Sequence, residues 1–198
     1  MIPIVLASGS AVRARLLTAA GVRFDIVPAQ IDEEAVKQSL LAENAAPRRI
    51  ADRLAELKAV TVSASRPHAL VIGADQVLSF QREIISKSAN VGEAGALLRR
   101  LAGQTHQLIS AIVLAKAGAP LWHHEALAEL QMREFSNQFL EEYLAVENTS
   151  LLNCVGCYHL EGRGAQLFAA IRGDYFSILG LPLLPLLAAL REFGALVA

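Results

Sequence analysis

The stretch Ala69-Leu-Val-Ile-Gly-Ala-Asp75 constrains this chain more than any other. An unbroken apolar run is what a strand buried on both faces needs, and such strands belong to sheets with helices on either side. The run stops at Gly73-Ala74, and the carboxylate of Asp75 follows. Open α/β sheets bind ligands there, at the carboxyl ends of their strands. A cation, Lys87, returns one short hairpin later. A two-residue turn at Gln81-Arg82 would set Lys87 opposite Gln76, whereas a three-residue loop sets it opposite Asp75 and on the same face. A one-residue slip swaps faces, so the second register is the expected one.

A chain of 198 residues can hold one large domain or two small lobes with a real core. With 54% hydrophobic and 19% charged residues it is a packed globular chain. A net charge of −1 leaves no basic footprint for a nucleic-acid polymer, although a small anion needs only a local cationic cluster. The opening MIPIVLASGSAVRAR lacks the basic and apolar regions of a signal peptide. The longest apolar stretch, Ile178 to Leu190, contains Pro182 and Pro185 and falls short of the roughly 20 residues a membrane span requires. No membrane partner is expected, and the expected location is cytoplasmic.

Taken in order, Ile2 to Ala7 reads as a strand, Ser8-Gly9-Ser10 as a turn, and Ala11 to Ala20 as a helix stopping at Gly21. Strand, small polar turn and helix present backbone N–H groups to an anion. Arg13 stands in the first helical turn, where the dipole disfavours a cation; it reads equally as an exposed arginine or as one set beside a bound anion. Arg23 to Pro28 reads as a second strand, and Ile31-Asp-Glu33-Glu34 as a loop or helix start in which Asp32 is a capping residue. The next helix runs from about Pro47 to about Ala64 with Ile50, Leu54, Leu57 and Thr61 as its apolar stripe. Lys58 lies on or beside that stripe. Such a lysine either snorkels to water or points at a negative charge.

Asn90 to Gly103 reads as a helix opened by Asn90 and Glu93, a capping-box variant, with Ala94, Leu97, Leu98 and Leu101 inward. Thr105 to Ala115 and Leu121 to about Phe135 read as strands, and Ser136 caps a helix carrying Phe139, Leu140, Tyr143 and Leu144. Leu151 to Leu160 and Ala165 to Ile171 read as strands flanking Glu161-Gly-Arg-Gly164, and a last helix runs from about Pro182 to Phe193. Strands and helices alternate first and strands cluster later, which predicts an α/β fold with a mixed twisted sheet and flanking helices.

Two motifs carry less than they promise. Cys154-Val-Gly-Cys157 has no second ligand pair for zinc. On a strand its sulfurs would face opposite sides, so both read as buried structural thiols. His123 and His124 are adjacent and point apart on a strand. No Walker A, complete G-x-G-x-x-G or G-x-S-x-G sequence is present, which removes the usual kinase, dinucleotide and α/β-hydrolase readings. What remains is Arg13 and Lys58 as phosphate cations, Glu33 in an acidic loop, and Asp75 with Lys87 nearby. Carboxylates to hold a divalent metal, with cations around them, are what phosphate-anhydride chemistry requires.

Leu6-Ala-Ser-Gly-Ser-Ala-Val-Arg13-Ala-Arg-Leu-Leu17 resembles the opening signature of the Maf family of nucleoside triphosphate pyrophosphatases. Ile31-Asp-Glu33, Leu54-Ala-Glu-Leu-Lys58-Ala, Ile72-Gly-Ala-Asp75-Gln-Val, Leu101-Ala-Gly-Gln-Thr-His106, Gly162 to Phe168 and Gly173 to Leu183 follow in the family's order. The resemblance covers essentially the whole chain as a single Maf-like domain over residues 1–198. It implies an elongated fold with two lobes around a central cleft, Mg²⁺ or Mn²⁺ as cofactor, and a homodimer. The implied reaction cleaves a nucleoside triphosphate between its α and β phosphates.

Carried across by position, the resemblance implies Asp75, Lys87 and Lys58 as catalytic residues and Glu33 and Asp75 as metal ligands. It implies Ser8, Ser10, Arg13 and Glu161 as substrate contacts. Cys154 to Phe168, with a glutamate at 161, is similar to the branch preferring 7-methyl-GTP; the branch acting on dTTP and UTP usually has glutamine there. An ionised carboxylate only accepts hydrogen bonds and suits the N1–H and amino edge of a guanine. A dTTP/UTP pyrophosphatase and a non-catalytic nucleotide-binding regulator of septum formation are the alternatives. The chain departs from the family at Ser86 and Ser88, where glycine and proline usually flank the lysine, and at Ala11 and Val12.

Overall fold

The computed structural model describes residues 2–197. In chain order the elements are β1 (Ile4–Leu6), α1 (Ala11–Ala19), β2 (Asp25–Ile26), α2 (Glu33–Ala42), α3 (Pro47–Ser65), β3 (Leu70–Phe80) and β4 (Glu83–Ile85). They continue with α4 (Val91–Leu101), β5 (Thr105–Lys116), β6 (Ala119–Met132), α5 (Asn137–Glu147), β7 (Phe168–Arg172), α6 (Tyr175–Ile178) and α7 (Leu183–Glu192). Two 3₁₀ segments, Asn148–Asn153 and Arg163–Leu167, lie between α5 and β7. The strands form one mixed sheet in the order β2-β1-β3-β5-β6-β7, with β4 paired to β3 off that path and no closure into a barrel. The α/β class read from the sequence holds.

The chain divides into two compact units. The first runs through Gln76, then takes Ile109–Ala126 and everything from Asp174 on; the second is Val77–Leu108 with Leu127–Gly173. In the first unit β1 pairs in parallel with both β2 and β3. Alternation along these strands decides what each face meets. Ile4, Leu6, Leu70 and Ile72 pack with Leu16 and Leu17 of α1 and Leu183, Leu186 and Leu190 of α7. Val5, Ala7, Ala69 and Val71 pack with Val62 of α3 on the other face. Both faces are helix-covered, hence the unbroken apolar run.

The strand does not end where the run does. β3 continues through Gly73 and Asp75 to Phe80, so Asp75 lies inside the strand rather than at its end. What ends is its parallel partner, since the last β1 pair is Leu6↔Ile72. The alternation that sets Val71 under Val62 sets Gly73 and Asp75 under α3 as well. A Cβ on Gly73 would stand 2.1 Å from Ala55 O and 2.7 Å from Ala59 N. Glycine here lets the helix axis come down onto the strand. The Gly73→Ala variant must push α3 away, and a loss of about 3 kcal/mol, the upper end for overpacking, is expected in urea denaturation.

The helix itself is turned from the expected stripe. Its buried residues are Ile50, Ala51, Leu54, Ala55, Lys58, Ala59, Val62 and Ser63, whereas Thr61 is exposed and Leu57 only half-buried. Small residues at 51, 55 and 59 allow the close approach, and this outweighs the bulk of Leu57. Lys58 therefore sits within the buried face. Ile31 to Glu34, read as a loop or helix start, opens α2, which runs Glu33–Ala42 and is capped as expected by Asp32 accepting from Ala35 N.

In the second unit the hairpin takes the register that was not expected. Leu78↔Ile85, Ser79↔Ile84 and Phe80↔Glu83 pair across a two-residue turn, and Gln81 and Arg82 both have positive φ, 50° and 70°. Such turns match the twist of the flanking strands, and here they form without the usual glycine. The ladder stops at Leu78↔Ile85, so Asp75 and Lys87 are not a cross-strand pair. α4 begins as read, with Asn90 Oδ1 accepting from Glu93 N and Glu93 Oε2 accepting from Ala89 N. It packs against α5 and the 3₁₀ segment Asn148–Asn153. The strand expected over Leu151 to Leu160 is instead this 3₁₀ segment followed by turns. Gly156 and the left-handed backbone of Cys157, φ 56°, break the extended run its apolar composition suggests.

Candidate active site

Six of the residues singled out from the sequence belong to the first unit: Ser8, Ser10, Arg13, Glu33, Lys58 and Asp75. Lys58 is their hub. Its Nζ lies 2.7 Å from Asp75 Oδ1 and 2.9 Å from Glu33 Oε2. The Lys58 and Asp75 side chains are only 8% and 10% exposed, so theirs is not an ordinary surface pair. Glu33 is half-exposed at the start of α2. Burial pushes the Asp75 carboxyl above its usual range, Lys58 and Arg13 draw it back, and Glu33 adds to the rise. An aspartate held there is a stronger base than one in water.

Arg13 answers the helix dipole differently from the expectation. Its Nε donates to Gly180 O at 2.8 Å, and its Nη1 to Ala74 O at 2.8 Å and to Ser8 Oγ at 3.0 Å. Three neutral acceptors hold the guanidinium, so a cation is stable in the first turn without an anion. Burial lowers its pKa, Asp75 and Glu33 raise it, and an arginine stays charged throughout. Ser10 caps α1 by accepting from Arg13 N, and Ser8 Oγ also accepts from Ser10 N. The Ser-Gly-Ser turn, the middle of β3 and the turn at Gly180 are thus tied through one side chain.

Sequence reasoning passed over Gln76. It faces away from α3, and its Nε2 donates to Ser110 Oγ, Ser177 O and Ile178 O. Ser110 Oγ donates to Ser177 O as well. This brace precedes the turn whose Gly180 carbonyl holds Arg13. Its only signal in the sequence was position, a polar residue next to Asp75 on the other face of an apolar strand.

Lys87 and Glu161 belong to the second unit, and both are exposed. Lys87 follows the end of β4, and its neighbour Ser88 contacts Cys157 through Oγ···Sγ at 3.3 Å. Glu161 lies in a tight turn in which Gly162 N donates to His159 O. The two cysteines are free, Cys157 buried and Cys154 half-buried. The reading as structural thiols stands, but not the strand geometry behind it, because Cys157 N donates to Cys154 O across a turn. Burial pushes the Cys154 thiol up to about 11, which keeps it protonated at neutral pH. The two histidines part as expected. His123 Nδ1 meets Asp52 Oδ1 at 2.7 Å and His124 stacks on Trp122.

Glu33 and Asp75 present carboxylate oxygens to one common cationic atom, an all-oxygen donor set of the hardness Mg²⁺ or Mn²⁺ takes. The residues fit such an ion. Asp52, Glu56 and His123 also bring three potential ligand atoms within 4.8 Å of one another. Asp52 is bonded to His123 there and Glu56 to Arg53. Among the described residues no helix is long and apolar enough to cross a membrane.

The family model described as "Maf-like protein" matches residues 3–193. A protein of Paramagnetospirillum magneticum named nucleoside triphosphate pyrophosphatase is 51% identical over 193 residues, covering 98% of this chain and all of the relative. One of the same name from Caulobacter vibrioides is 50% identical, over 98% of this chain and 97% of its own. A protein of Rhizobium etli named 7-methyl-GTP pyrophosphatase is 47% identical, again over 98% and 97%.

Proposed function

The chain belongs to the Maf family, and on that premise we propose that it hydrolyses nucleoside triphosphates at the α–β anhydride. The products are the monophosphate and pyrophosphate. The observation that carries the reading is the buried Lys58 ammonium held between Asp75 and Glu33, on the face of a strand that outruns its parallel partner. Two carboxylates around a buried lysine are a charge arrangement suited to a cation-bound polyphosphate.

In this reading Glu33 and Asp75 hold the divalent cation, Mg²⁺ or Mn²⁺, which when bound supplies charge neutralisation to the phosphates. Asp75, made more basic by burial, orients the attacking water and accepts its proton as water adds at phosphorus and the bridging P–O bond breaks. Lys58 takes up the negative charge that passes to the pyrophosphate oxygens, and Lys87 and Arg13 contribute further positive charge. Ser8 and Ser10 supply hydroxyl and backbone donors at the start of α1.

The favoured substrate is 7-methyl-GTP. Support comes from Glu161, whose carboxylate matches the donor edge of guanine, and from the relative named for that activity. A panel of 7-methyl-GTP, GTP, UTP, dTTP and ITP with Mg²⁺ or Mn²⁺, scored for pyrophosphate, tests it. 7-methyl-GTP should give the highest kcat/KM. A lead for UTP or dTTP would move the chain to the pyrimidine-directed branch. Tight binding with no pyrophosphate would make it a nucleotide-binding regulator.

A further inference from the structure

The second unit contains a buried polar contact that neither the fold nor the proposed chemistry uses. His106, near the start of β5, is 1% exposed, and its Nε2 lies 2.6 Å from the Tyr158 hydroxyl. Its Nδ1 is buried without a partner. Burial draws the ring's pKa down to about 4, so the imidazole is neutral and has one proton to place. The short contact joins Nε2 to the Tyr158 hydroxyl, with the ring tautomer setting which of the two donates.

Tyr158 is the inward side chain of the turn that bears Glu161. Its ring meets Phe168 edge-on at 4.8 Å and lies over Gly156, where an added Cβ would come within 2.3 Å of it. The backbone on either side is braced too. Tyr143 donates to Cys157 O at 3.3 Å, and Cys154 Sγ donates to Tyr158 O at 3.2 Å. Beyond it, Gly162 N donates to His159 O at 3.1 Å, and a Cβ on Gly164 would stand 2.5 Å from that same oxygen. Such close packing fixes where the backbone at Glu161 emerges. A van der Waals nest fills space, whereas a short buried hydrogen bond sets direction.

We propose that His106 is a positioning residue: through Tyr158 it fixes the turn that carries Glu161 and so sets discrimination between nucleobases. The inference rests on the proposed role of Glu161 in reading the base. A carboxylate that must meet two donors on a purine edge tolerates little displacement, so loosening its turn costs selectivity before it costs turnover.

The test compares His106→Phe, which keeps an aromatic ring beside Phe168 and deletes the hydrogen bond, with Tyr158→Phe, the double variant and His106→Gln. Each is assayed with 7-methyl-GTP and UTP, and amide exchange is followed over residues 154–164. The kcat/KM ratio of 7-methyl-GTP to UTP should fall about tenfold in either single variant, the scale of one hydrogen bond. It should fall no further in the double variant, and kcat should stay within about threefold. Exchange at residues 159–163 should accelerate, and His106→Gln should restore part of the ratio. An unchanged ratio and unchanged exchange, or an equal loss of kcat on every nucleotide, would overturn the proposal while leaving the pyrophosphatase reading intact. Should the wild type release no pyrophosphate, that reading fails, and exchange in the variants decides whether His106 braces the turn.

Discussion

Asp75→Asn should lower kcat for pyrophosphate release by roughly 100- to 10,000-fold, the range of a lost general base. The protein should stay folded. The amide keeps the shape of the carboxyl and can still accept from Lys58 Nζ, 2.7 Å away in the native protein. Burial is the largest influence on Asp75 and it disfavours the charged form. The sign of the pH effect follows. A carboxyl whose folded pKa lies above its unfolded value binds more protons in the native state, so it lowers stability as pH rises from the ordinary carboxylate range through its raised value. Asparagine does not titrate. Thermal unfolding of the variant should lack that downward contribution, but at neutral pH its Tm should fall below that of the wild type, because the substitution leaves the buried Lys58 charge with only the half-exposed Glu33 as partner. Turnover within a few-fold of wild type would remove Asp75 from the reaction.

How much of this site could be read in the chain depends on which forces carry each part. Asp75 and Lys58 stood out because a charge at an apolar run or stripe contradicts the pattern around it, Arg13 because it opposes the helix dipole and Glu33 as part of an acidic loop, and the structure brings all four into the first unit. The β1 and β3 strands were legible as apolar runs, whereas their parallel pairing leaves no local mark in the chain. The hairpin register was not, since it turns on Gln81 and Arg82 adopting positive φ, a cost neither residue advertises. The rotation of α3 was hidden too. Alanines at 51, 55 and 59 look neutral in a hydrophobic stripe, and their meaning appears only against Gly73. Arg13 misled most instructively: its partners are a hydroxyl and two backbone carbonyls, and a carbonyl leaves no mark in a sequence. The segment after Asn148 failed for a related reason, because its apolar residues pack from 3₁₀ turns rather than a strand.

Lys58→Met should have the larger effect on stability. Methionine fills a similar volume on the buried face of α3, so packing against β3 is kept and the charge alone is lost. Removing one partner of a buried ion pair costs about 3–5 kcal/mol, because the other charge is left without compensation. The Glu33 contact adds little to that figure, since its side chain is 53% exposed and water screens it. Loss of Lys58, the largest influence drawing the Asp75 pKa down, shifts that carboxyl further toward its protonated form, with Arg13 as the remaining cationic influence. A protonated Asp75 cannot accept a proton from water, so Lys58→Met should abolish turnover without touching the carboxylate itself. Lys58→Met with Asp75→Asn separates the two causes. With both charges gone no buried charge is left unpaired, and stability should return part of the way to the wild-type value while activity stays absent. Urea denaturation of the four proteins in this cycle checks it. Additive losses would mean that Lys58 and Asp75 do not depend on each other, and the central pair of the proposed site would lose its physical basis.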